Sequence, residues 1–249
     1  MSAASTSAVT GDRVTGKVRR IAAELPELGR IRHVEANPPS PKAWWTTIGT
    51  GLFFTLGGAF GPNGVIGAFA LIPAWVVIGW IILGYLGSEK VVVLDRGLLI
   101  GSFAPFLRPA VVLFDRFEVD SITAVRPGWK LAGMLHGHQR LTTGRTAVWA
   151  WNGVAFVADF GPVARRRHVD AARLFDPEDP AKRQRIVWWF GTWRQPDRLV
   201  GALESALVDL GYPVAGLSRH VLPMVPISGN ASDAATQVPR LVAALERSA

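Results

Sequence analysis

Two clusters of side chains in this chain of 249 residues have types and spacing that could do chemistry. His136-Gly137-His138 has the spacing of a metal-binding pair, but two imidazoles are half a site. The chain has no cysteine, and no carboxylate at suitable local spacing completes the set, so an ordinary Gly-rich loop explains the pair better. The second cluster is cationic: Arg165, Arg166 and Arg167 before His168, then Arg173, and farther on Lys182, Arg183 and Arg185. It borders an insertion, residues 163–181, that carries the acidic run Asp176-Pro177-Glu178-Asp179. The arginines read in two ways. Guanidinium groups pair well with phosphate and carboxylate, which makes a patch for anionic lipid or an acidic partner. Alternatively they form a solvated loop partly neutralised by the neighbouring acids. No Gly-x-Ser-x-Gly, phosphate-binding Gly-Lys-Thr or His-Glu-x-x-His pattern occurs. No catalytic residue, metal ligand or cofactor is therefore expected, although a spatial triad of distant residues would leave no such trace.

The elements that must position these residues begin with an apolar block. Residues 43–88 form a run of 46 with no acidic or basic side chain. As one helix it would be about 69 Å long, more than twice the thickness of a bilayer core. Gly61-Pro62-Asn63-Gly64 breaks the run, each residue type favouring a turn for its own reason. Two membrane helices are expected, at about 44–60 and 65–87, joined by a tight turn. Trp44, Trp45 and Tyr85 stand where amphipathic rings sit at headgroup level, and Pro73 should kink the second helix. Thr47, Gly51 and Thr55 form a small-residue stripe, read as packing within the hairpin rather than homodimerisation. A buried soluble hairpin is the rival reading of the block.

Arg13, Lys17, Arg19, Arg20, Arg30, Arg32 and Lys42 precede the first span, whereas the turn between the spans carries no charge. The positive-inside rule puts the basic segment, and after two spans the rest of the chain, in the cytoplasm. A multi-pass protein of the cell membrane with both termini cytoplasmic is expected. Its opening residues lack the compact apolar core of a signal peptide. Residues 1–42 read as a basic lead: a flexible start, a short helix within 14–28 interrupted at Pro26, and a stiff Asn37-Pro38-Pro39-Ser40-Pro41. Its cations either touch anionic headgroups or merely set topology.

After residue 88 the pattern turns to short strands. Residues 90–95 and 98–101 flank Asp95-Arg96-Gly97, and 146–151 and 154–159 flank Asn152-Gly153; both are expected hairpins. Strands are also expected at 110–114, 117–125 and 185–193, with Trp188 and Trp189 in the core and on the opposite face. Pro196 opens an amphipathic helix with Leu199, Leu203, Ala206, Leu207 and Leu210 on one face, and Gly211 closes it. This region, residues 89–212, resembles the bacterial pleckstrin-homology-like (PH-like) domains. The resemblance is carried by the hairpin at 91–101, the Asp120-Ser121-Ile122 segment, and the helix start Trp193-Arg194-Gln195-Pro196-Asp197-Arg198-Leu199. It implies an α+β fold: a transmembrane hairpin, then an antiparallel β-sandwich or partial barrel capped by a C-terminal helix. It implies no chemistry, since such domains bind proteins or lipids. Phosphoinositide-binding members carry clustered cations at the first hairpin, where this chain has only Lys90, Arg96 and Arg108.

Residues 213–249 read as a Pro-rich linker and a last helix at 238–247, docked on the sheet or on a partner. A net charge of +8 invites a nucleic-acid reading, but the cations are dispersed and no nucleic-acid-binding motif occurs. The expected function is a non-catalytic, membrane-tethered adaptor that binds a protein or anionic lipid headgroups. The alternative is an accessory subunit of a membrane enzyme or transporter complex, and a third reading is an oligomer built through the Gly/Thr stripe.

Overall fold

Short apolar runs buried on both faces build most of the sheets of this molecule. The computed structural model describes residues 9–39, 41–60, 64–105, 107–126, 130–131, 134, 142–145, 151–160, 184–192, 194–222, 224–228 and 230–247. Ten strands are described: Thr10–Gly11 (β1), Ile31–Ala36 (β2), Glu89–Leu94 (β3), Gly97–Ser102 (β4), Ala110–Leu113 (β5), Phe117–Arg126 (β6), Thr142–Arg145 (β7), Asn152–Phe160 (β8), Gln184–Thr192 (β9) and Val225–Pro226 (β10). They form two sheets, in the orders β1-β2-β3-β4-β5 and β10-β6-β8-β9-β7.

The fold is α+β, but its sheets are mixed, not purely antiparallel as expected. β1 runs parallel to β2, β10 to β6 and β7 to β9. Helix Gly16–Ala23 (α1) supplies the crossover that the first parallel pair needs. β2 lies in the segment that reads as a basic lead, yet it pairs with β3 from Ile31↔Leu94 to Ala36↔Lys90. The Asp95-Arg96 turn between β3 and β4 is where the sequence puts it. The Asn152-Gly153 turn is not. Both residues belong to β8, opposite Thr192 and Gly191 of β9. The glycine is there for close packing: a Cβ on Gly153 would stand 2.1 Å from Trp189 Nε1. The expected strand at 146–151 lies outside the described residues except for Trp151.

The sheets face one another across a core of Val91, Val93, Leu98, Ile100, Phe156, Ile186, Trp188 and Phe190. Helix Asp197–Asp209 (α4) closes it with Leu199, Val200, Leu203, Ala206 and Leu207. The outer faces are buried too. Val92, Leu94 and Leu99 of the first sheet pack under Val18 and Ile21 of α1 and under Leu25 and Leu28. Ala155, Val157, Val187 and Trp189 of the second pack under Leu241, Ala244 and Leu245 of the last helix, Pro239–Glu246 (α7). Short helices Leu217–Val221 (α5) and Ala234–Gln237 (α6) lead to it. Trp188 and Trp189 thus lie on opposite faces of β9, both buried. Each such fully buried large side chain contributes about 1.5–3 kcal/mol relative to exposure.

Between β2 and β3 the chain leaves the sandwich as two helices, Pro41–Ala59 (α2) and Gly64–Leu86 (α3). Among the described residues, only the segment Gly64–Gly84 of α3 is long and apolar enough to cross a membrane. α2 carries more Gly and Thr. It packs along α3: Phe54 stacks on Trp75 at 5.3 Å, and a Cβ on Gly51 would meet the Trp75 side chain at 3.7 Å.

Candidate functional site

The helical hairpin is an insertion into a strand–strand connection, and this fixes how it joins the sandwich. Asn37 N–H donates to the Glu89 carbonyl at 3.0 Å, extending the β2–β3 ladder to the foot of the helices. Phe103 N–H donates to the Ser88 carbonyl at 2.9 Å, and the Ser88 and Ser102 hydroxyls lie 2.7 Å apart. A Cβ on Gly87 would stand 2.7 Å from Pro39 Cδ, so the two legs touch where they leave the sheet. The side chain of Asn37 is fully buried here, and neither end of its amide meets a partner among the described residues.

Cations gather at that end of the molecule. Because Glu89 pairs with Ser102, the β4–β5 loop lies beside the hairpin's foot. Lys17 of α1 grips this loop through Nζ, which donates to the carbonyls of Ala104 and Leu107, the latter at 2.8 Å. Arg108 from the same loop bonds Glu24 at 2.6 Å. Burial lowers the Lys17 ammonium below its ordinary pKa, and the charges of Arg108 and Arg20 lower it further. Burial also lowers Lys90, against the opposing pull of Asp12. Arg194 adds another cation, bonded to Asp12 at 2.8 Å and raised above its ordinary value by that bond. The Asn152 amide donates to the Arg194 carbonyl at 2.9 Å, which brings half-exposed Trp151 to the same end.

Sequence reasoning missed a buried polar cluster at the seam of the sheets. His33 and Glu35 of β2 are almost wholly buried. As residues i and i+2 of a strand they share a face, the one signal that pointed to them. His33 Nε2 lies 3.2 Å from Glu35 Oε2, and the Thr192 hydroxyl of β9 donates to Glu35 Oε1 at 3.2 Å. Thr10 of β1 donates its hydroxyl to the Arg32 carbonyl at 3.2 Å, and its oxygen lies 2.9 Å from His33 Nδ1. Hydroxyl, imidazole and carboxylate in a row suggest a nucleophile relay. Here the Thr10 hydroxyl is also within reach of the Arg32 carbonyl, and the cluster ties β1, β2 and β9 together.

A cavity of about 530 Å³ opens beside Thr10 and His33, lined also by Arg32, Arg198 and Ser205. Arg32 is already engaged, bonded to Asp95 at 2.6 Å and to Asp209. Its burial acts against the charged form, but the hydrogen bonds and charges of both carboxylates hold its pKa above the ordinary value.

Of the cationic cluster singled out in sequence, Arg165, Arg166, Arg167, Arg173, Lys182 and Arg183 lie outside the described residues, as do His136 and His138. Arg185 is on β9, bonded to Glu118 at 2.6 Å and Asp159 at 3.5 Å. Glu118 also takes Arg247 of the C-terminal segment at 3.4 Å, so Arg185 belongs to an ion-pair network. No group of three His, Asp or Glu among the described residues is placed to hold a metal ion.

No protein-family model, curated protein or solved structure matches the chain. The functional reading therefore rests on the chain's own geometry.

Proposed function

We propose that this is an integral membrane protein in which α2 and α3 cross the bilayer as a pair. On this reading they hold a PH-like domain at the cytoplasmic face of the cell membrane, as a non-catalytic tethered adaptor for a protein or anionic lipid. One observation carries the proposal: the hairpin's large apolar side chains point away from protein. Phe53 is 73% exposed, Ile66 83% and Trp80 75%, whereas the sandwich buries its own apolar residues on both faces of both sheets. Water would penalise such a surface heavily; hydrocarbon would not. The 19 residues of α2 make about 28 Å of helix, close to a bilayer core of about 30 Å. Thr46 and Thr47 turn their hydroxyls back onto the carbonyls of Lys42 and Ala43, both at 2.8 Å, which hides polar groups from lipid. The PH-like reading is supported by two packed sheets followed by α4, which seals the core between them.

A second reading, an accessory subunit of a membrane enzyme or transporter complex, is favoured by the groove between the two helices. This groove of about 470 Å³ is lined by Thr47, Ile48, Gly51, Trp75, Gly79 and Leu83, and its small residues would admit a partner helix.

Alkaline washing of membranes that contain the full chain tests the anchor. Retention with the lipid is expected; release into the supernatant would overturn the proposal. Crosslinking in the intact membrane then separates the readings, since a subunit gives a defined adduct with another spanning protein through α2 or α3, and an adaptor gives adducts through the sandwich.

A further inference from the structure

The sandwich has two ends of different charge, and the hairpin leaves from one of them. At the far end lie the β3–β4 turn, the start of β6 and the C-terminus of α4, with Asp95, Asp115, Asp159 and Asp209. Arginines stand among them, and Arg32 and Arg185 bond three of these carboxylates. At the hairpin end the balance is different. Arg13, Arg20 and Lys42 are exposed and make no ion pair among the described residues. Glu24, the carboxylate near α1's cations, is taken by Arg108.

This accumulation runs against local electrostatics. α1 starts at the hairpin end, where its backbone N–H groups carry partial positive charge, yet its first turn holds Lys17 and no acid. Arg20 lies in the last turn, and burial, then the charges of Arg108 and Arg20, lower the pKa of Lys17. Lys17 is satisfied by the carbonyls of the β4–β5 loop, which leaves Arg13, Arg20 and Lys42 as exposed cations without a carboxylate among the described residues. Exposed Trp44 and Trp45 open α2 beside them, and Trp151 stands at the same end of the second sheet. Exposed indole rings and cations at the foot of a spanning hairpin are the side chains expected at headgroup depth.

We propose that the hairpin end of the sandwich lies against the anionic phospholipid surface, with Arg13, Arg20 and Lys42 on the headgroup phosphates. The inference rests on the membrane-spanning reading of α2 and α3. It assigns lipid contact to the α1 and β4–β5 edge, not to the arginine cluster at 165–185. Because the hairpin leaves from the β2–β3 connection, this is the end that the helices carry nearest the bilayer, and the cations draw it onto the headgroups.

The chain has no cysteine, so single labels are clean. The full chain carrying Pro105→Cys on the β4–β5 loop, or Arg30→Cys at the far end, is labelled with a fluorophore. Each is reconstituted in vesicles of phosphatidylcholine alone or mixed with phosphatidylglycerol, with a nitroxide on a fraction of the headgroups. The expected result is strong quenching at position 105, and little at 30, in the anionic vesicles. It should weaken, while staying above position 30, when added salt shortens the Debye length to about 3 Å, and in the Arg13→Glu/Arg20→Glu variant. Equal quenching at both positions, or quenching indifferent to lipid charge and salt, would overturn the proposal. An alkaline wash of the same vesicles separates the failures: a retained chain without quenching removes only the headgroup contact, and a released chain removes the spanning hairpin as well.

Discussion

Glu35 is a group whose partners can be tested one at a time. It accepts from Thr192 on one oxygen and faces His33 on the other, with almost no access to water. Glu35→Ala leaves both partners buried without a counterpart, a change that costs on the order of 3 kcal/mol. Glu35→Gln keeps an acceptor for Thr192 and a polar side chain of the same size beside His33, so most of the stability should remain. Urea unfolding of the full chain in detergent should order them wild type, Gln, then Ala. If Gln were as costly as Ala, the carboxylate charge, not the hydrogen-bond pattern, would hold the seam. Glu204 gives a pH signature. The Ser218 hydroxyl, then the Ser218 and Gly216 N–H groups, hydrogen-bond its carboxylate and hold its pKa below the ordinary value. A depressed folded pKa means that the unfolded chain binds the proton more readily. The stabilisation is therefore complete above the ordinary glutamate value of about 4.3 and is lost as pH falls through the folded value. The gap in unfolding midpoint between wild type and Glu204→Gln should be present at neutral pH and close in acid. A gap that widens in acid would contradict this account.

At the scale of elements, the tail helix carries stability that residues 89–212 alone cannot supply, and the β8–β9 contact adds to it from within that region. Leu241→Ala in α7 empties a fully buried site over the second sheet, and a cost of about 2–5 kcal/mol is expected from unfolding curves. Gly153→Ala pushes a Cβ into Trp189, and overpacking of this kind costs about 1–3 kcal/mol. Gly153→Ala/Trp189→Leu should recover part of that loss, because the indole is what the Cβ meets. Much at this scale is legible in sequence. β3, β4, β8 and β9 show alternation or dense β-branched and aromatic runs, and α4 shows Leu199, Leu203, Ala206 and Leu207 on one face; Leu210, read with them, is exposed just past its end, and Val200 is buried instead. β2 is hidden because it buries His33 and Glu35 on the face where an apolar residue would have revealed a strand. β10 has two residues, too few for any period, and is defined by its parallel partner Val125–Arg126. Asn152-Gly153 misleads because the glycine answers a tertiary demand, the indole across the sheet, that resembles a local turn signal.

For the whole molecule, the two outer layers come from the ends of the chain: α1 before the hairpin and α7 after the linker. The isolated fragment 89–212 lacks both, together with β2, and exposes Val92, Leu94, Val187 and Trp189. It is expected to aggregate in size-exclusion chromatography, where the full chain in detergent runs as a folded species. The apolar block is the most legible feature in the sequence, since 46 residues without a charge need no partner to be noticed. Its attachment is not legible, because the pairing of β2 with β3 joins residues on either side of the block. The central claim is that a two-helix span emerges from between paired strands and keeps both flanks on one side. It is tested most directly by thiol accessibility in intact cells, with Asn63→Cys between the helices and Pro105→Cys on the sandwich. A membrane-impermeant maleimide should label position 63 in intact cells and position 105 only after lysis. Labelling of both before lysis, or of 105 alone, would contradict the account.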